Sequence, residues 1–342
     1  MKPIRSISVI GLSKNAGKTT VLNALIHDYP KSGFPLGLLS MGVDGEQRDA
    51  WSGREKPPIR VRKNMLVATS AFWLNRQPGN WEVLQDCGIS SVLGKVYIAR
   101  AKREGAVQLA GIPTRNGAKQ AMRLLSEAGA EKILLDGAYD RRSPSCPQLT
   151  DASIVVIGAS LSPSLTEVIK KAKEWFRLFR LKESTAPLER QAGHIAIKRR
   201  RVVGVLEGRL EILPLSGFLE LKVREKEWIQ NNWDALAMAG ALTDQMLETL
   251  LQHRQAVRLI IPSAAHLFVH LPMFYRFHRQ GGEIRVLEPI RLIKAAINPD
   301  SPEGYSFPPQ EMKEKIGQVC FPLPVVDAVR DPREQGVWDG VL

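Results

Sequence analysis

Cysteine is scarce in this chain: Cys87, Cys146 and Cys320 are the only three in 342 residues, far apart and without a C-x-x-C pair or a histidine cluster. That excludes a disulfide framework and a zinc site as organising devices, and it fits a reducing cytoplasm. Long apolar runs are also missing. Nothing approaches the ~18 apolar residues of a membrane span, and the apolar stretch in the opening MKPIRSISVIGLSKNAGK is too short for a secretory signal. A soluble, cytoplasmic chain without a membrane partner is expected. The sequence has no H-E-x-x-H; His266 and His270 are spaced i, i+4 but sit in a strand-like apolar context, so His194, His266, His270 and His278 read as packing or solvent-facing residues. There is no N-K-x-D string and no convincing internal repeat.

What is present is enough for a large core. Hydrophobic residues make up 44% of the chain and its net charge is +13, which rules out disorder throughout and favours acidic partners such as nucleotides, nucleic acid or an acidic protein face. Short unalternating apolar runs at Ile7–Gly11, Pro35–Met41, Lys132–Asp136 and Ile154–Gly158 are separated by helical patterns such as Val21–His27, Asn116–Gly129 and Ser164–Leu181. Strands of that kind belong to a mostly parallel sheet covered by helices on both faces. The expected fold class is therefore α/β.

Further strands are predicted at Ile59–Val61 and Met65–Thr69, and a hairpin from Lys95–Arg100 and Ala106–Gly111. The stretch His194–Leu215, with β-like pieces at Ile195–Ile197, Val202–Leu206 and Leu210–Leu213, reads as an inserted antiparallel element. A helix over Ala241–His253, a strand at Val257–Ile261, a helix near Met273–Arg279 and a strand at Ile284–Leu287 follow. The expected segments are a core over 1–190, an inserted hairpin and linker helix over 191–240, a C-terminal α/β half over 241–329, and a loose tail over 330–342. Asn298–Pro309 reads as a fixed loop that could line a base or partner site.

The strongest chemical signal is the string from Gly11 to Thr20, GLSKNAGKTT, lying between an apolar strand and a helix as a phosphate-binding loop requires. Small residues let successive N–H groups turn toward phosphate oxygens, and the helix presents its positive end to the same charge. Ser13, Lys14, Asn15, Ala16, Gly17, Lys18, Thr19 and Thr20 are the candidate binding residues. Lys18 would neutralise the terminal phosphates, and the Thr19 hydroxyl would coordinate Mg²⁺. Leu12 stands where the usual spacing has glycine, with Gly11 one step early, so the loop is a variant.

Asp136 ends the run Lys132–Asp136 and is followed by Gly137, where an acid beside the loop strand could hold Mg²⁺ directly or through water. Asp44, in Gly42–Glu46, is the candidate that positions an attacking water or a metal, with Glu46 and Asp49 as alternatives; a solvated β-turn is an equally plain reading of Asp-Gly. Lack of N-K-x-D favours ATP over GTP as the cofactor taken with Mg²⁺. The basic runs Arg141–Arg142 and Lys198–Arg201 carry no interleaved aromatics, so nucleic acid is not expected as a partner. Trp73, Trp81, Trp175, Trp228 and Trp233 are assigned to the core.

On the loop string the sequence resembles the P-loop NTPase superfamily, in the branch of the MinD-type ATPases, dethiobiotin synthetase and the small molybdenum-cofactor protein. That branch carries a second loop lysine, for which Lys14 is the candidate, although it lies four residues before Lys18 rather than five. A wider set of strings, GLSKNAGKTTVLN, GVDGE, KPPIRV, LVATSA, LLDGAYDR, AGALTD and INPDSPEGYSF, resembles the P-loop subunit family of the reactivase of lysine 5,6-aminomutase, a PLP- and adenosylcobalamin-dependent enzyme. The resemblance implies an ATPase switch acting on a client protein. A ligase or kinase resembling dethiobiotin synthetase, and a nucleotide-binding scaffold without turnover, are the alternatives. Homodimer and hetero-oligomer both stay open as assemblies.

Overall fold

The computed structural model describes residues 3–30, 35–42, 58–137, 147–216, 220, 232–253, 256–331, 337–338 and 341. It is an α/β chain with eight α-helices among the described residues. In chain order the first part runs β1 (Ser6–Gly11), α1 (Lys18–Asp28), β2 (Leu36–Met41), β3 (Ile59–Val61), β4 (Leu66–Ser70), α2 (Ala71–Asn75), β5 (Trp81–Ser91) and β6 (Gly94–Ala101). Next come β7 (Gly105–Val107), β8 (Gly111–Ile112), α3 (Arg115–Glu127), β9 (Lys132–Gly137), β10 (Ala152–Gly158) and α4 (Leu165–Phe179). The middle part holds β11 (Lys182–Glu183), α5 (Pro187–Arg199), β12 (Val203–Leu206), β13 (Arg209–Ile212), β14 (Ala235–Ala237), β15 (Leu242–Thr243) and α6 (Asp244–Gln252). It continues through β16 (Arg258–Ile261), β17 (Leu267–Phe268), α7 (Leu271–Arg279) and β18 (Glu283–Val286), and the chain ends with β19 (Leu292–Asn298), α8 (Pro309–Cys320) and β20 (Val325–Asp327).

Two compact units result, one of residues 1–173 with 291–342 and the other of residues 174–290. The first is built on a ten-stranded mixed sheet of order β20-β19-β10-β1-β9-β2-β4-β6-β5, with β8 added to β2. Every pair from β20 to β4 is parallel, and β6 alone is reversed, pairing antiparallel with both β4 and β5. Strands β1 and β10 are buried at nearly every position because both of their faces are covered, and the polar Ser8 and Ser153 within them pair with each other at 2.7 Å. Ile7, Val9, Leu36, Leu38, Leu134 and Ile154 share one buried cluster with Val21, Leu22 and Leu25 of α1. On the opposite side of β2, a Cβ at Gly37 would touch Ala130 and Leu125, the latter on α3. Since alternate strand residues face opposite ways, α1 and α3 cover opposite faces.

The second unit carries a six-stranded sheet, order β11-β18-β16-β14-β12-β13, parallel except at β12 and β13. Ala192 and Ala196 of α5 pack on Val203, Val205, Ala235, Ala237 and Ile260.

Several local expectations change. Ile195–Ile197 is helical, inside α5, and only β12 and β13 form the expected hairpin. Packing accompanies the change: Ala192 and Ala196 lie on the sheet, and Gly193 sits so close to Leu287 that a Cβ there would lie 2.6 Å from its methyl carbons. Lys95–Arg100 does pair in a hairpin, but with β5, while β7 pairs with β3. The segment read as 191–240 lies within the second unit, whereas 1–190 and 241–329 each run from one unit into the other, the latter because β19 and β20 return to the first sheet. Trp338 and Val341 are buried in the first unit's core, and Lys132 Nζ donates to Val341 O at 2.8 Å, so these two residues of the expected loose tail are held.

Candidate functional site

Strand β1 is where the order of the large sheet reverses, with β9 and β2 on one side and β10 and β19 on the other. Crevices outside the carboxyl ends of parallel strands at such a reversal are the usual ligand sites of open α/β sheets. The loop Leu12–Gly17 lies at that end, and α1 starts directly after it with Lys18.

Two residues give the loop its shape by adopting left-handed backbone: Asn15 at φ 59° and Gly17 at φ 103°. Gly17 caps α1 without any side-chain cap, and the first turn of α1 has no acidic residue. The positive end of the helix therefore meets the loop without a carboxylate of its own to offset it. Gly11 accounts for the variant spacing. A Cβ there would lie 3.1 Å from Ser13 O, 3.2 Å from Ala16 Cβ and 3.3 Å from Lys18 Cγ. The Lys18 stem thus folds back over the end of β1, and a side chain at position 11 would be tightly placed at the base of the loop.

A second layer braces the loop. Ser13 is buried, and its hydroxyl pairs with Ser160 Oγ at 2.8 Å, while Ser160 Oγ also donates to Lys14 O at 2.9 Å. Leu12 N donates to Val156 O at 3.0 Å, which carries the β1–β10 pairing one residue into the loop. Asn298 ends β19 opposite Gly158 of β10, and its side chain fills the space where a Gly17 Cβ would be, at 3.0 Å. Tyr305 Oη donates to Ala159 O at 2.9 Å, and Ser301 N to Tyr305 O at 2.9 Å, which fixes the 298–307 loop against the same place.

Asp136 stands on β9 beside Val9 of β1 and Ser40 of β2, with its Oδ1 atom buried. It is one strand away from the loop, at the same end of the sheet. Ala16 is fully buried, Lys18 and Thr19 are half-buried, and Asn15 and Thr20 are exposed. Ser13 through Thr20 and Asp136 are therefore brought to one end of the sheet. Asp44, Glu46, Asp49, Arg141 and Arg142 lie outside the described residues, as do Cys146 and Trp228. Sequence reasoning missed Gly158, Ser160 and Tyr305; the signal was the small-residue string Gly158-Ala159-Ser160 at the end of a fully buried strand.

Elsewhere the candidates fall into structural roles. Cys87 and Cys320 are buried free thiols, and burial, with Asp86 nearby, pushes the Cys87 thiol up to about 12, which leaves it unreactive. Trp73, Trp81 and Trp233 are buried. His270 is exposed at the start of α7 and pairs with Asp244 at 2.5 Å, not with His266, which ends a 3-10 turn. Among the described residues no three His, Cys, Asp or Glu side chains converge on a metal position, and no helix is long and apolar enough to cross a membrane.

Compared with protein-family profiles, curated proteins and solved structures, the chain gives no match.

Proposed function

We propose that the chain is a Mg²⁺-dependent nucleoside triphosphatase, using ATP, whose hydrolysis cycle switches its affinity for a client protein. The observation that carries this reading is the loop Leu12–Gly17: it sits at the strand-order reversal, turns through left-handed Asn15 and Gly17, and hands directly to a helix whose first residues are Lys18 and Thr19. Loop N–H groups and the helix end attract a polyphosphate, and Lys18 adds a full charge beside them.

The residues suit magnesium. A Mg²⁺ ion keeps several waters and takes only one or two protein oxygens together with phosphate oxygens. The Thr19 hydroxyl and the Asp136 carboxylate would be those two oxygens, so a three-carboxylate cage is not required. When bound, the ion would neutralise charge on the terminal phosphates. Asn298, packed on Gly17, and the fixed loop after it are suited to face the nucleoside end or the partner.

The client half of the proposal rests on the strings that resemble the aminomutase reactivase family, in which the client would be a cobalamin-dependent aminomutase. A switch acts only through differential affinity of its two states for that client. Calorimetric titration of the full chain with a non-hydrolysable ATP analogue and Mg²⁺, beside a phosphate-release assay with ATP and with GTP, tests the nucleotide half. Saturable analogue binding with slow ATP turnover is expected. A chain that binds neither nucleotide ends the proposal.

A further inference from the structure

We propose that one face of α5, in the second unit, is the docking surface for an acidic segment of the client, a stretch in which carboxylates alternate with apolar side chains. The inference rests on the reading of the chain as a switch with a protein client and names the chemistry that client must present. Arg190, His194 and Lys198 follow one another at intervals of four along α5, so they form a single stripe over two helical turns, about 12 Å long. Beside the stripe lies an open groove of about 560 Å³, lined also by Thr185, Pro187 and Ile195, with a mostly apolar floor.

The charge on this face is mostly positive, with Glu183 paired to Arg190 at its edge. The acid in the first turn of α5, Glu189, is buried and turned inward to Ser184 and Arg258. Arg190 is fixed by Glu183 at 2.7 Å and by the carbonyls of Ser184 and Leu287, so it gives the groove a rigid wall. Lys198, Arg199, Arg200 and Arg201 follow, all exposed, with Arg200 in the left-handed region as the helix cap. One or two cations in a last turn would complement the helix dipole. Four in succession, continuing a cationic stripe beside an apolar groove, exceed that need and match a partner of opposite sign. No aromatic side chain lines the groove, so there is no platform for stacking bases, and the apolar floor suits a side chain such as Leu rather than a sugar-phosphate backbone.

The test uses the full chain and a short fluorescein-labelled peptide of alternating Glu and Leu, read by fluorescence anisotropy. Saturable binding is expected. His194→Glu combined with Lys198→Glu should weaken it about tenfold or more with the melting curve unchanged, because both positions are exposed, and Ile195→Ser, which also loses packing on the unit's core, should weaken it about threefold. A peptide of Glu alone should bind several-fold more weakly than the Glu-Leu peptide. Equal affinity of the double variant overturns the proposal. So does a Glu-only peptide or a short single-stranded DNA that competes as well as the Glu-Leu peptide, since the surface would then be a plain cationic patch. Mg-ATP binding is measured in the same samples. Intact Mg-ATP binding without peptide binding removes the docking surface alone, and peptide binding without Mg-ATP binding removes the nucleotide reading alone.

Discussion

Gly158 abuts Ala16: a Cβ added at Gly158 would lie 2.6 Å from Ala16 Cα and 2.8 Å from its carbonyl oxygen. The end of β10 is thus the floor against which the loop at 12–17 rests, and backbone cannot yield there as a flexible side chain could. Gly158→Ala should displace the loop, lowering stability by about 1–3 kcal/mol as overpacking does. Analogue affinity should fall about tenfold or more, because small misplacements of binding groups are costly. Denaturant unfolding and calorimetry on the same protein check both. An unchanged affinity would mean that the loop takes no ligand or moves freely off its floor.

Lys18 is half-buried, with its stem against Gly11 at the base of the loop. Lys18→Ala should lower stability by no more than about 1 kcal/mol, the scale of an ordinary single substitution. Affinity for a triphosphate should drop at least about tenfold, the scale of a lost charge-assisted hydrogen bond. Affinity for the nucleoside alone should not change. Calorimetry with triphosphate, diphosphate and nucleoside separates these outcomes, and an equal loss for all three would assign Lys18 to loop structure instead.

Asp136 differs from Lys18 in what it should do. It lies one strand over, on β9, where a carboxylate can meet a metal ion rather than the phosphates themselves. Asp136→Asn keeps the side chain's shape and removes its charge. Phosphate release should fall about 10–100-fold, with a rise in the Mg²⁺ concentration needed for half-maximal rate. Binding of the nucleotide without metal should be preserved. A variant with wild-type Mg²⁺ dependence would exclude Asp136 from metal positioning.

How legible these features are in the sequence follows from how local their causes are. The loop Gly11–Thr20 and strands β1, β2, β9 and β10 are readable because doubly covered strands are rich in apolar residues without strict alternation, and because the loop's small residues and Lys-Thr pair are contiguous. Strand β5 is not readable: irregularities between Val83 and Gln85 and between Asp86 and Ile89, with Gly88 at φ 64°, break the period-two alternation. The bracing of the loop by Ser160 and Tyr305 joins residues about 145 positions apart in sequence. Nothing local marks such pairs before the β10–β19 register is known. In α5 the error has the opposite origin, since Ile195 and Ile197 favour strand while Ala192, Ala196 and Gly193 pack a helix onto the sheet and Leu287, a non-local cause.

Glu283 links stability to pH in the second unit. Burial pushes its carboxyl up, but hydrogen bonds from Arg285 and Arg258, each at 2.9 Å, together with their charges outweigh that and hold it below its usual 4.5. A carboxyl whose value is lower folded than unfolded contributes stability that is complete above the unfolded value and is lost as pH falls through the folded one. Wild type should therefore exceed Glu283→Gln in stability at neutral pH, by about 1 kcal/mol or less for a partly exposed pair. The difference should close as pH drops below 4.5. Unfolding curves of both proteins from about pH 7 to about pH 3 measure it. A difference that stays constant across that range would assign the contribution of Glu283 to hydrogen bonds that glutamine also makes, and not to its charge.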